Sequence, residues 1–294
     1  MSQQDPYVPP QAGQYIPPPP SYGGGSDIPP ESPYHSSSAP QRSSTSLLGW
    51  LGSALLAAWA VVKYGLVFLV KIPAFATLFS ALVSVGAYAL FYGGWFAVAL
   101  VVMILIHEMG HVVEIRRQGM RATAPVFIPF LGAAIFQREH PTSAVNQAKI
   151  GIAGPIAGTI GATAALVLYT ATQDPIFLLA ATIGFFLNLI NMLPVWQLDG
   201  AWVLAPVSPW FQVAGLVAIA LLAIVFHFVS VLLIFIAILG IQSARSAFRN
   251  ARNPYYTSVS PQARLALFGA WLGLVLYLGV MTLQSESLFL SLAR

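Results

Sequence analysis

Cysteine is absent from this chain of 294 residues, and charged residues are scarce. Without thiols, disulfides, thiolate metal sites and cysteine catalysis are excluded, so any metal held by the protein must be bound by His, Asp or Glu. Only 7% of the residues are charged, whereas 57% are hydrophobic. These proportions lie outside the range of soluble globular proteins and are typical of polytopic membrane proteins, whose surface faces the lipid bilayer.

Residues 1–46 differ in composition from the rest of the chain, because they are rich in Pro, Ser, Gly, Gln and Tyr and hold no long apolar run. Four prolines stand together at 17–20, followed by three glycines at 23–25. We expect a disordered tail with polyproline II character. It is either a solvated leader or the docking site of a proline-reading partner.

Hydropathy predicts an all-α polytopic membrane protein, a bundle of about 6–8 transmembrane helices of about 20 residues each. Residues 47–92 would hold N-terminal helices, 93–205 the core and 206–294 C-terminal helices. The first span could lie flat in the interface because Lys63 interrupts it, and residues 210–243 could form one long helix. The candidate spans lie at 47–70, 72–92, 94–115, 148–172, 175–195, 210–226, 228–243 and 264–284.

The basic residues are distributed along the chain in two main loops and form no patch, so we expect no nucleic acid partner. The positive-inside rule places both loops in the cytoplasm. His227 would then lie at a turn between spans, where we expect packing and not metal ligation. The loops hold Arg116, Arg117, Arg121, Arg138 and Lys149, and then Arg245, Arg249, Arg252 and Arg264.

A His-Glu-x-x-His motif lies inside the apolar span 94–115. His107 and His111 are four residues apart, so their imidazoles lie on one face of the helix and can bind one Zn²⁺. Glu108 is rotated by about 100° from His107, which puts its carboxylate beside the metal and not on it. This is the general-base arrangement of a metallohydrolase. Ionisable side chains in a membrane span are costly, which argues against a chance occurrence of the motif.

Two apolar segments after the motif are candidates for the walls of a site. The segment Ala124–Phe136 is too short to span and contains prolines and a glycine, so we expect a re-entrant strand or hairpin, or a plain interfacial loop. A free strand edge there could hold an extended substrate. The helix at 148–172 carries Gly154 and Gly158, a spacing that lets two helices pack backbone to backbone and could form the floor of the site.

A catalytic zinc site needs a third protein ligand. Asp199 is the best candidate, because it follows a later span and reaches the cytoplasmic end of the bundle, as His107 and His111 do. Pro194 breaks the helix before it and Gly200 permits a turn. The acids that fit less well are Glu114, beside Arg117, Asp174, on the opposite side of the membrane, and Glu139, among basic loop residues.

Two separated motifs together resemble the site-2 protease family of intramembrane zinc metalloproteases. The first is His107-Glu108-x-x-His111, and the second is the segment 191–200, Asn-Met-Leu-Pro-Val-Trp-Gln-Leu-Asp-Gly. Residues 184–188, Gly-Phe-Phe-Leu-Asn, match the family's GxxxN element, and Gly154-Pro155 matches its Gly-Pro helix. The resemblance covers roughly residues 75–205. Ala201 is a small departure, since many members have glycine there.

The resemblance implies His107, His111 and Asp199 as zinc ligands and Glu108 as catalytic acid and base. It implies Asn188 or Asn191 as a group near the scissile carbonyl. The expected substrate is a transmembrane protein cleaved in or near its membrane span, by an enzyme of the plasma membrane whose active site lies toward the cytoplasm. A scaffold or transporter with a structural metal and a zinc hydrolase acting on a lipid or prenylated peptide are the alternatives.

Overall fold

The computed structural model of the protein describes residues 52–53, 56–57, 59–60, 73–137, 139–225 and 231–292. The chain divides into two compact units, residues 1–60 and 61–294. The described residues of the first unit are all helical. The expected tail at 1–46, most of the candidate span at 47–70, and His227 with its expected turn lie outside the described residues.

In its described part, the second unit contains nine helices and one two-stranded sheet. In chain order the elements are α1 (Pro73–Tyr92), α2 (Gly94–Arg117), β1 (Val126–Ile128), β2 (Gly132–Ala134), α3 (Ala144–Thr172), α4 (Pro175–Asn191), α5 (Asp199–Leu204), α6 (Trp210–Val225), α7 (Val231–Asn250), α8 (Pro254–Thr257) and α9 (Pro261–Leu292).

Four of the described helices, α1, α2, α3 and α9, are long and apolar enough to cross a membrane. The prediction of a mainly helical membrane protein is confirmed, but the expected count of about 6–8 spans is not. Helix α4 has 17 residues and α6 has 16, so each is shorter than the roughly 20 residues that cross a hydrocarbon core. Asp174 caps the start of α4 through Ile176 N–H, and the turn before Pro194 ends it early.

Small residues bring α2, α3 and α4 into close contact. A Cβ on Gly184 of α4 would lie 2.8 Å from the Cβ of Ala162 on α3 and 2.9 Å from the sulfur of Met103 on α2. A Cβ on Gly110 of α2 would overlap the carbonyl oxygen of Ala153 on α3. Such close approach is typical of helices packed in a membrane.

The expected strand-like segment is present as a hairpin. Strands β1 and β2 are antiparallel, with Phe127 opposite Ala133. Helix α1 holds the β1 side of the hairpin through polar side chains: the Thr77 hydroxyl donates to the Pro125 carbonyl at 2.7 Å, and the Tyr88 hydroxyl accepts from the Phe130 N–H at 3.0 Å. The Phe127 ring is buried against α1 and α2. These contacts fix the hairpin beside the middle of α2.

Candidate active site

Helix α2 presents its two histidines on the side that faces α3 and α4. The Nε2 atoms of His107 and His111 lie 3.1 Å apart, and the ring centroids are 4.9 Å apart. His107 is buried, with 3% of its surface exposed. The one-turn spacing of the motif therefore places two ring nitrogens at one point, as the sequence predicts.

Asp199, the first residue of α5, reaches the same point from 88 positions further along the chain than His111. Its Oδ2 lies 3.1 Å from His107 Nε2, and its Oδ1 lies 3.3 Å from His111 Nε2. The segment between α4 and α5 turns sharply, because Trp196 adopts a left-handed φ of 49°. Gly200 lies directly against the Met192 carbonyl, where a Cβ would clash.

The far nitrogen of each ring is held by a neighbouring helix. His111 Nδ1 lies 2.8 Å from the Ile150 carbonyl of α3, and a carbonyl only accepts, so Nδ1 carries the proton. Asn188 of α4 donates its amide to the Gly184 carbonyl at 2.6 Å, which turns its oxygen to His107 Nδ1 at 2.8 Å. Each ring, held through its Nδ1, therefore directs its Nε2 toward Asp199. Metal-binding histidines are commonly oriented in this way.

The three donor atoms fit a metal ion. The two Nε2 atoms lie 3.1 Å apart, and each lies 3.1–3.3 Å from one of the two Asp199 carboxylate oxygens. These separations are close to the edge of roughly 3.3 Å between ligands bound at about 2.0–2.1 Å in a tetrahedral zinc site. Asp199 Oδ2 is buried and accepts no hydrogen bond. His107, His111 and Asp199 could therefore hold a metal ion.

Two glycines of α3 form the wall behind the histidines. A Cβ on Gly154 would overlap the His111 imidazole, and a Cβ on Gly158 would overlap the Asn188 amide. Gly151 also lies against α5, where a Cβ would come within 3.3 Å of the Asp199 carbonyl. The lack of a side chain at Gly154 and Gly158 therefore leaves room for the His111 ring and the Asn188 amide.

Glu108 borders open space beside the donor residues. It lines, together with His107, two cavities of about 760 Å³ each. The first, here called the apolar groove, lies between α2, α4 and α9; the second also contains His111 and Asp199 and opens toward the loops. Ala133 of β2 and Asn191 line both cavities. A substrate chain in either cavity would pass both the Glu108 carboxylate and the strand.

Asn188 and Asn191, expected as alternatives beside a scissile carbonyl, occupy different places. Asn188 is fully buried, and its side-chain amide is occupied by hydrogen bonds with the His107 ring and the Gly184 carbonyl. Asn191 donates to the Leu187 carbonyl at 3.0 Å and borders the cavities. The geometry favours a positioning role for Asn188 and leaves Asn191 as the one of the two that a substrate could reach.

Sequence reasoning did not find the Ile150 carbonyl or the hydroxyls of α1 that hold the hairpin. A backbone carbonyl has no signature in a sequence, and hydroxyls in an apolar helix are common. Two of the acids that the sequence analysis set aside as metal ligands have basic neighbours, as expected. The Glu114 carboxylate lies 3.9 Å from the Arg117 side chain, and the Glu139 carboxylate accepts from the Arg121 backbone N–H at 2.7 Å.

Comparison with known proteins adds an independent finding. Residues 95–176 match the model of peptidase family M50. The resemblance to the site-2 protease family is thereby confirmed over this part of the chain. M50 is a family of membrane metalloproteases that use zinc, so the match supports a membrane metalloprotease. It includes His107, Glu108, His111 and the Gly154-Pro155 pair but ends before Asp199, whose place in the site rests on the geometry and on the motif at 191–200. No curated protein matches this chain.

Proposed function

We propose that this protein is an intramembrane zinc metalloprotease that hydrolyses peptide bonds in or near the transmembrane segments of membrane proteins, as in regulated intramembrane proteolysis. The observation that carries the proposal is the convergence of His107, His111 and Asp199 at 3.1–3.3 Å, with Glu108 beside them in an open cavity. The match of residues 95–176 to the M50 family supports it.

In the proposed reaction, a zinc ion held by the three donors would supply Lewis acidity to the scissile carbonyl and to the attacking water. Glu108 acts as general base, taking a proton from that water, and then as general acid, delivering it to the leaving amine. Asn191, which lines both cavities, would donate to the oxygen on which charge develops. Asn188 and the Ile150 carbonyl keep the two rings in the required tautomer.

The substrate would reach these groups in an extended form. A transmembrane helix hydrogen-bonds its own amides, so it must unwind before Glu108 and a peptide carbonyl can meet. Strand β2 pairs with β1 along one edge, and its residue Ala133 lines both cavities on the side of Glu108. We propose that an unwound segment adds to β2 as a further strand.

The proposed setting is the plasma membrane, with the site toward the cytoplasm and the bilayer around the four long apolar helices. The charge asymmetry of the chain supports this orientation. The partner is a transmembrane protein substrate, and the proline-rich tail at 1–46 is proposed to bind a proline-reading partner.

The decisive experiment measures cleavage and metal content together, on the purified full-length chain in lipid. Glu108→Gln keeps every donor atom, so zinc should remain at wild-type stoichiometry while cleavage of a transmembrane substrate falls by about 10²-fold or more. His111→Ala, the matched comparison, should lose both zinc and cleavage. A scaffold with a structural metal would keep its function in Glu108→Gln. A lipid hydrolase would leave the protein substrate intact and turn over a lipid or prenylated peptide instead. Either result would contradict the proposal.

A further inference from the structure

The apolar groove extends far from the candidate metal donors. It is lined at one end by His107 and Glu108 and further along by Phe96 and Phe289. Phe96 precedes His107 by eleven residues on α2, which corresponds to about 16 Å along the helix axis. The groove is therefore long enough to hold several residues of a membrane segment beyond the peptide bond at the site.

Two polar side chains of α9 interrupt the apolar wall of this groove. Thr282 and Glu286 are four residues apart, so they lie on one face of the helix, and both line the groove. Thr282 is only 9% exposed, and its hydroxyl makes no hydrogen bond. Among the described residues, none pairs with the Glu286 carboxylate. A buried hydroxyl without a partner is costly, which indicates that something binds beside Thr282, and the Glu286 carboxylate on the same face is exposed and accessible to that ligand.

The distribution of charged residues indicates that a ligand of this part of the groove carries a positive charge. Every described Lys and Arg lies toward the other end of the bundle, on loops or helix ends near the starts of α3 and α9. The one other described carboxylate near the Glu286 end is Asp174, which is occupied as the cap of α4 and does not line the groove. Within the described residues, the carboxylate of Glu286 is thus open to a cation from outside the chain.

We propose that Thr282 and Glu286 recognise a lysine or arginine in the transmembrane substrate, making α9 the element that selects substrates by charge. The inference rests on the proposed function and narrows its substrate class to membrane segments with a basic residue at a set distance from the cleaved bond. A lysine can lay its methylene chain along the apolar wall and present its ammonium group to the Glu286 carboxylate and the Thr282 hydroxyl.

The length of the groove lining on α2, about 16 Å from His107 to Phe96, limits how far from the cleaved bond that residue can stand. A path of about 16 Å corresponds to roughly eleven residues in a helix and to about five in an extended strand. A substrate that is extended at the site and helical beyond it falls between these limits. The preference for a basic residue should therefore lie within roughly five to eleven residues of the cleaved bond, on one side of it only.

The test uses one cleavable transmembrane substrate in which a single Lys, Gln or Glu is moved stepwise on either side of the scissile bond. With the wild-type chain in lipid, kcat/KM should be about two- to fivefold higher for Lys than for Gln at the preferred position. Glu286→Gln should remove this preference while still cleaving the Gln substrate, and Glu286→Lys should prefer the Glu substrate. Asp174→Asn, which removes a carboxylate at the same end but keeps a good helix cap, should leave the preference unchanged.

A second readout does not depend on turnover. Glu108→Gln should capture the Lys substrate in cross-linking more strongly than the Gln substrate, and Glu108→Gln combined with Thr282→Val and Glu286→Gln should capture both equally. If the wild-type chain cleaves Lys, Gln and Glu substrates alike at every position, the inference fails and the proposed protease stands. If no substrate is cleaved, the protease proposal fails, and the capture experiment alone decides whether the groove selects a cation.

Discussion

At the scale of single residues, the site depends on groups that touch the histidines as much as on the histidines themselves. His107 Nε2 can serve a metal only while its Nδ1 keeps the proton, and the oxygen of Asn188 holds that proton in place at 2.8 Å. The Asn188 amide is in turn oriented by Gly184. The GxxxN element, whose first and last residues are these two, is thus one unit in the structure.

Asn188→Leu should weaken zinc binding, because the His107 ring loses the acceptor that fixes its tautomer and orientation. We expect the zinc dissociation constant to rise by about 10- to 100-fold, measured by competition with a chelator. Asn188→Asp keeps an oxygen acceptor and should restore most of the affinity. Asn191→Leu, one turn further on, should bind zinc as the wild type does and lose turnover instead. Equal zinc affinity in Asn188→Leu and wild type would contradict the positioning role.

At the scale of elements, much of the fold could be predicted because hydropathy and helix signals act locally. Helix α2 was predicted at 94–115 and extends over Gly94–Arg117. Helix α4 was predicted to reach 195 but ends at Asn191, because apolar residues continue through a turn that hydropathy does not distinguish from a helix. The meeting of Asp199 with two histidines could be inferred only from topology and motif, whereas the direction of the Asn188 amide depends on contacts that a sequence does not record.

The contact of α3 with α2 gives a prediction at this scale. Gly154→Ala would place a methyl group where the His111 imidazole lies, so the ring must move away from the Ile150 carbonyl. We expect overpacking to cost about 1–3 kcal/mol of stability, and zinc content should fall. Gly161→Ala on the same helix meets only the Ile106 side chain, at 3.0 Å, and should retain zinc. The comparison needs metal analysis and thermal unfolding of both variants.

The hairpin gives a second prediction. Tyr88→Phe removes the acceptor for the Phe130 N–H and should loosen the turn between β1 and β2 by about 1 kcal/mol. Amide exchange at 125–136 should become faster and kcat/KM for a transmembrane substrate should fall by about fivefold, while zinc content stays unchanged. Tyr92→Phe, four residues later and without a hydrogen bond to the hairpin, is the control. Unchanged exchange in Tyr88→Phe would show that α1 does not hold the strand.

At the scale of the whole molecule, the two ends of the bundle differ in charge. The starts of α3 and α9 lie together, since the Tyr255 hydroxyl of α8 donates to Gln147 Oε1 at 3.1 Å. The described basic residues gather at this end, and the loop between α3 and α4 has none. Helix α3 has 29 residues, a length of about 44 Å, which separates the two ends by more than the thickness of a hydrocarbon core.

The absence of cysteine makes this orientation directly measurable, because a single introduced thiol is a unique label. Ser258→Cys lies at the basic end and Ala171→Cys at the end of α3, and both positions are exposed. If the basic end is cytoplasmic, a membrane-impermeant maleimide added to intact cells should label Ala171→Cys and leave Ser258→Cys unlabelled until the cells are permeabilised. The reverse pattern would place the metal donors toward the other side of the membrane. Labelling of both positions in intact cells would show that the two ends of α3 do not lie on opposite sides of the membrane.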